Sequence, residues 1–194
     1  NGLPTHAVQL VNTTDREAVG HFLASDQYID VAIPRGGEGL IRRGAAEAKM
    51  PVIKHFAGNC HVYIDEAADL DMALEIAHNA KVQRPSVCNA MDTLIVHSAV
   101  APAFLPRIAE RWAGAGVEIR GDRRAMSIIG PVEGLRAVPA REEDWSTEHL
   151  ALRAGVRIVD SFEGALEHIE TYGSGHSEAI VTEDGEAADR FLNM

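Results

Sequence analysis

An α/β fold with a parallel or mostly parallel sheet, covered by helices on both faces, is what this sequence predicts. Three observations predict it. Short apolar runs alternate with stretches of helical periodicity along the chain, the pattern of β–α–β units. Hydrophobic residues make up 46% of the chain but aromatics only 5%, and small, branched aliphatics of this kind suit helices packed on a parallel sheet. At 194 residues the chain can bury one sizeable core, or one domain and part of another.

The elements follow in order. Ala7–Val11 reads as a strand, and Thr13-Thr14-Asp15 as the cap region of a helix running to about Ala24. Tyr28–Ile33 reads as a second strand, stopped by Pro34. Gly36-Gly37-Glu38-Gly39 then opens a helix toward Lys49. Pro51–Ile53 and His61–Ile64 are a third and a fourth strand. Asp69 caps a helix in which Leu70, Ala73, Leu74 and Ala77 recur at helical spacing, through Ala80. A loop carrying Cys88 leads into the strand Thr93–His97. Pro102–Ala113 is a helix ended by Gly114 and Gly116, and Val117–Ile119 a strand. Gly121 to Trp145 is rich in turn residues and yields only Arg136–Val138 as a short strand. Val156–Val159, a helix from Ser161 to Thr171, and Ala179–Val181 complete another β–α–β unit. Asp184 to Leu192 is a final helix.

The net charge is −11. Such a surface repels nucleic acid and anionic lipid, so neither is an expected partner, and an anionic ligand would need a local basic pocket. Arg35, Arg42, Arg43, Arg84 and Arg153 are the candidates for one. No apolar run approaches the roughly 18 residues of a membrane span, and no leader pattern opens the chain. With two cysteines, Cys60 and Cys88, nothing resembles a secreted disulfide scaffold, and a reducing cytoplasm is the expected compartment. Nine histidines form no ligand spacing, so no metal is expected.

Cys88 lies in Gln83-Arg84-Pro85-Ser86-Val87-Cys88-Asn89-Ala90. It falls outside the apolar periodicity, Pro85 stiffens the approach, and Arg84, Ser86 and Asn89 are polar neighbours that could face a substrate. A thiolate there could attack an activated carbonyl and hold the acyl group. The alternative is a small buried thiol, since free cysteine is among the most buried residue types. Cys60, beside an alternating strand, reads as structural. The glycines Gly36 and Gly37 sit where helix N–H groups could receive a phosphate, or they are only a tight turn. His176, in the polar loop Tyr172-Gly173-Ser174-Gly175-His176-Ser177, could reach a substrate carboxylate or be a surface residue. Glu148 reads as a surface acid on composition alone.

The runs Ile33-Pro34-Arg35-Gly36-Gly37, Pro51-Val52-Ile53-Lys54-His55, Cys60-His61-Val62-Tyr63-Ile64-Asp65 and Arg84-Pro85-Ser86-Val87-Cys88-Asn89-Ala90 resemble the glutamate-5-semialdehyde dehydrogenase (gamma-glutamyl phosphate reductase) family of the aldehyde dehydrogenase superfamily. Glu142-Glu143-Asp144-Trp145-Ser146-Thr147-Glu148 and His168-Ile169-Glu170-Thr171-Tyr172-Gly173-Ser174-Gly175-His176 extend the likeness over essentially the whole chain. The resemblance implies an aldehyde dehydrogenase-like fold in two lobes. Residues 1–57 would be the second half of a dinucleotide-binding domain and 58–194 the cysteine-bearing catalytic domain. It implies NADPH-dependent reduction of L-glutamyl 5-phosphate to glutamate 5-semialdehyde in proline synthesis, by a homo-oligomer when full-length. Carried over by position, Cys88 is the nucleophile, Glu148 holds the nicotinamide-side ribose, and Gly36 and Gly37 approach the dinucleotide.

Superfamily members that hydrolyse their acyl-enzyme carry a glutamate base in a Glu-Leu-Gly-Gly run, where this chain has His55-Phe56-Ala57-Gly58. A reductase gains from that loss, since a positioned base would activate water and drain the thioester. Both ends look cut against the family. The first half of the cofactor domain, with an asparagine that donates to the oxyanion, would lie upstream of Asn1, and a Gly-rich segment beyond Met194. The piece alone is therefore expected to bind cofactor poorly and turn over little. Two other readings stand beside this one: an aldehyde dehydrogenase acylating coenzyme A through the same cysteine, and a non-catalytic α/β module in which Cys88 is packed.

Overall fold

The computed structural model describes residues 2–54 and 58–193. The chain divides into two compact units, Asn1–Phe56 and Ala57–Met194.

The first unit holds helices α1 (Glu17–Leu23) and α2 (Glu38–Glu47). None of the strands expected at 7–11, 28–33 and 51–53 forms. A single isolated parallel bridge, Ala32 to Val52, is what the described residues keep of them. The reason is visible in exposure. Val8, Tyr28 and Ile53 stand in solvent and Leu10 is 96% exposed, and a strand with an apolar face is stable only when neighbouring strands and a covering layer bury it. Leu23, Ile41 and Met50 are the buried apolar side chains here. The helix expected after Thr13-Thr14-Asp15 does form, and Asp15 Oδ1 accepts the Glu17 amide at 2.9 Å.

The second unit is built on six strands, β1 (Cys60–Ile64), β2 (Met91–His97), β3 (Glu118–Gly121), β4 (Ala137–Pro139), β5 (Arg153–Val159) and β6 (Glu178–Val181). They form one sheet in the order β4-β3-β5-β2-β1-β6, and every pairing is parallel. Helices α3 (Leu70–Val82), α4 (Ala101–Ala115), α5 (Arg123–Ile129), α6 (Phe162–Tyr172) and α7 (Gly185–Leu192) connect and cover it.

Strand alternation divides the core in two. Val62, Ile64, Leu94 and Val96 join the α3, α4 and α5 side chains in one cluster, while Tyr63 and Ile95 join Ala165, Ile169 and Phe191 of α6 and α7 in the other. Covered on both faces, β1 and β2 are buried at every residue, and their centres, Val62–Ile64 and Leu94–Val96, are apolar without alternation. The helix starts were readable from their caps. Asp69 accepts the Asp71 and Met72 amides at 2.8 and 3.1 Å, Ser161 that of Gly164 at 3.1 Å, and Asp184 that of Glu186 at 2.8 Å.

Two elements fall in the stretch left unassigned. One is α5, capped by Asp122, whose Oδ1 accepts from Ala125 N at 2.7 Å. The other is a short 3₁₀ helix, Glu142–Ser146, which carries the buried Trp145. The helix expected over Pro102–Ala113 and ended by Gly114 and Gly116 spans Ala101–Ala115, running through Gly114 and closing at Gly116.

Candidate active site

Cys88 lies in the loop between α3 and β2, at the amino-terminal edge of the sheet, and it is exposed. That is the opposite edge from the one where open α/β sheets usually bind ligands. The carboxyl edge carries an acidic cleft of about 430 Å³ lined by Asp65, His97, Asp160 and Asp184 among others. Among the described residues, no group of three or more His, Cys, Asp and Glu could hold a metal ion.

The residues leading into β1 support the Cys88 loop from below. Gly58 is packed so close that a Cβ there would stand 2.0 Å from the Cys88 carbonyl oxygen. Asn59 is buried and ties three segments together. Its amide donates to Ser174 Oγ at 2.9 Å, and its side-chain nitrogen donates to the carbonyls of Trp145 and Tyr172 at 2.8 and 2.6 Å. Cys60 donates its thiol hydrogen to the Cys88 carbonyl at 3.2 Å. Burial first, then the Glu178 and Asp92 carboxylates, push the Cys60 thiol up to about 12. It therefore stays protonated, as expected of a structural cysteine.

The register slips between Cys60 and His61, which pair with Met91 and Thr93 and skip Asp92. Bulges of this kind recur beside active sites, where they re-aim a side chain. The displaced Asp92 turns to Lys81 Nζ at 3.3 Å and to the His149 amide at 3.1 Å. Burial raises the Asp92 carboxyl and lowers the Lys81 ammonium, each opposed by the other's charge.

His176 half-emerges from its loop, with Nδ1 3.8 Å from Cys60 Sγ. Next to it, Glu178 Oε2 accepts from both the amide and Nδ1 of His61, at 2.8 and 2.9 Å. His168 sits beneath, its ring centroid 5.4 Å from that of His61, 5.5 Å from Trp145 and 4.7 Å from Tyr172.

The structure thus brings Cys88 together with His176, through Cys60. Glu148 is half-buried, beside His149, and near enough for its charge to act on Asp92. Arg84 and Asn89 are exposed and share a shallow recess of about 180 Å³ that Cys88 does not line. Ser86 is exposed on the same loop. His55, Phe56 and Ala57, at the site of the absent glutamate, lie outside the described residues. Gly36 and Gly37 belong to the first unit, where they form the expected turn into α2. Gly36 has φ +154°, and a Cβ there would meet Leu40 Cδ2 at 2.9 Å. Gly37 caps α2 without a side-chain bond.

Sequence reasoning missed Gly58, Asn59 and the Cys60–Cys88 contact. Cys60 and Cys88 lie 28 residues apart and Asn59 and Ser174 115 apart, and nothing local signals either pairing.

Residues 1–142 match the aldehyde dehydrogenase family. The chain is 54% identical to gamma-glutamyl phosphate reductase of Persephonella marina over 100% of its own length and 44% of that relative's. It is 53% identical to the enzyme of the same name from Rhodopirellula baltica, of which it spans 43%. The solved structure of gamma-glutamyl phosphate reductase from Thermotoga maritima superposes with a TM-score of 0.86 at 42% identity, over 94% of this chain and 43% of that one. The chain therefore spans less than half the length of the relatives it matches.

Proposed function

The chain belongs to the aldehyde dehydrogenase family, and from that premise we propose that it carries the acyl-transfer half of an NADPH-dependent reduction of L-glutamyl 5-phosphate to L-glutamate 5-semialdehyde and phosphate. The observation that carries the reading is an exposed cysteine within a chain 54% identical, end to end, to a relative named for that reaction.

The Cys88 thiolate attacks the acyl carbon, the carbon–oxygen bond to phosphate breaks, and phosphate leaves with the electron pair. A thioester on Cys88 remains. The oxyanion of the tetrahedral intermediate needs donors. Among the described residues no acceptor is bonded to the Cys88 amide, so that amide is available for the role. With no glutamate in His55-Phe56-Ala57-Gly58, the thioester is spared hydrolysis. Arg84, Ser86, Asn89 and His176 are the candidate substrate contacts.

The turn at Gly36 and Gly37 fits a dinucleotide phosphate, because open space surrounds the position a Cβ would take on Gly37 and no side chain caps the start of α2, where helix amides attract an anion. Glu148 is assigned to the nicotinamide-side ribose. A nicotinamide cofactor, when bound, supplies the hydride that takes the thioester to the aldehyde level. We assign residues 1–57 to the cofactor domain and 58–194 to the catalytic domain.

The test is acylation of Cys88 by glutamyl 5-phosphate or acetyl phosphate, read by peptide mass. A stoichiometric adduct on Cys88, absent in Cys88→Ser, is expected. Faster acylation by an acyl-coenzyme A thioester would favour the coenzyme A chemistry, and no adduct with any donor would leave an inert module.

A further inference from the structure

We infer that Cys60 is a positioning residue for Cys88: its thiol hydrogen bond holds the Cys88 carbonyl inward, over the Gly58 backbone, and so fixes the loop from which the Cys88 side chain projects. The inference rests on Cys88 being the proposed nucleophile.

The Cys88 loop has little else to define it. Between α3 and β2 its backbone bonds are turns, Val87 N to Arg84 O at 3.4 Å and Ala90 N to Val87 O at 3.0 Å. Arg84, Ser86, Cys88 and Asn89 are all exposed. Segments with few buried contacts open locally at low free energy. A nucleophile needs the opposite, since small misplacement of a reacting atom is costly in rate.

The Cys88 carbonyl is where the loop meets something rigid. Beneath it lies the Gly58 backbone, and across from it the Cys60 thiol at 3.2 Å. Cys60 is 3% exposed and begins β1, one residue after the threefold anchorage of Asn59 to Trp145, Tyr172 and Ser174. The anchor is therefore stiff where the loop is not. A thiol is a weak donor, so the contact matters through geometry more than through energy. With its thiol pushed up to about 12, Cys60 keeps the donated hydrogen through the neutral range.

The test uses the full chain with Cys60→Ala, Cys60→Val and Cys60→Ser. Serine keeps a donor, while alanine and valine do not, and valine fills the space. In all three Cys88 is the remaining thiol, so its chemistry is read without ambiguity. Two measurements are made: hydrogen exchange of the Ala90 amide, and the ratio of the Cys88 rates with acetyl phosphate and with iodoacetamide. Loss of the donor is expected to speed Ala90 exchange about tenfold in the alanine and valine variants. The rate ratio is expected to fall by a similar factor, on the order of ten, because alkylation lacks the oxyanion geometry of acyl transfer. Serine restores both. A donor of no importance would leave all four proteins alike, or make serine behave as alanine does, and either result overturns the inference. If unaltered Cys88 takes no acyl group from acetyl phosphate, the nucleophile reading fails, and the exchange pattern alone decides whether Cys60 holds the loop.

Discussion

Gly58 and the Cys88 carbonyl are in contact so close that no side chain fits between them: a Cβ on Gly58 would stand 2.0 Å from the oxygen and 2.9 Å from the carbonyl carbon. The obstacle is backbone, so no flexible tip can swing aside. Gly58→Ala must push the Cys88 loop away, at a cost of about 1–3 kcal/mol for overpacking. For a chain of this size each kcal/mol lowers the melting temperature by about 2–4 °C. Thermal unfolding followed by circular dichroism checks it, and a melting curve superimposable on that of the parent protein would refute the contact.

The two cysteines differ in both access and ionisation. Cys88 is exposed and Cys60 buried, and Cys60 is pushed up to about 12. At pH 8 a thiol of that kind is ionised in only about one molecule in 10⁴, and the thiolate is the form that reacts. Iodoacetamide on the native protein is expected to label Cys88 to completion before Cys60 is detectably modified. Peptide mapping by mass spectrometry reads the order. Equal labelling in the folded state would place the two sulfurs in like surroundings and contradict the structure.

The second unit was legible because its signals are local. Asp69, Ser161 and Asp184 announce their helices with caps that form, and the apolar runs His61–Ile64 and Thr93–His97 have the continuous burial of central parallel strands. Cys88 stood out by falling outside that periodicity. The first unit was misread for the opposite reason. Ala7–Val11 and Tyr28–Ile33 have strand composition, but a strand is completed by neighbours, and the residues at those positions are largely exposed. Around Cys88 the supporting contacts are tertiary. Gly58, Asn59 and Cys60 act through partners far along the chain, and a buried amide such as Asn59 in an apolar lead-in to a strand is the one hint a sequence reader could have weighed.

A buried histidine, His168, and a half-buried one, His149, make the fold acid-sensitive. Burial first, then the charges of His61 and Arg157, pull His168 from 6.5 to about 3. Burial, Lys81 and Arg153 pull His149 to about 4. Neither ring has a hydrogen-bond partner among the described residues. As pH falls below 6.5 the unfolded chain takes up these protons and the folded one does not, so stability is full above that value and falls with falling pH. Each such group contributes a slope of up to about 1.4 kcal/mol per pH unit. Asp160, held down to about 2 by Arg124 and Ser98, loses its contribution only below 3.8, outside this window. Urea unfolding at pH 7, 6 and 5 should show the decline, and His168→Leu should flatten it by one proton's worth. An unchanged slope in that variant would mean the ring is protonated inside the fold.

Lys81 and Asp92 are a buried pair whose members depend on each other. Lys81 is 0% exposed and Asp92 2%, and Lys81 also donates to the Ala151 carbonyl at 3.3 Å. Lys81→Met removes the cation and strands a buried carboxylate, which typically costs about 3–5 kcal/mol. Neutralising both partners removes the stranded charge. Asp92→Asn is the better companion than an apolar residue, because its side-chain oxygen still accepts the His149 amide now held at 3.1 Å. A buried amide left without an acceptor would itself cost about 1–3 kcal/mol. The double variant is therefore expected to be more stable than Lys81→Met alone, although it carries one substitution more. Denaturant unfolding of the two single variants and the double, compared as a cycle, measures the coupling. If the two changes simply add, the ammonium and the carboxylate do not need each other, and the pair holds the bulge at Asp92 by packing alone.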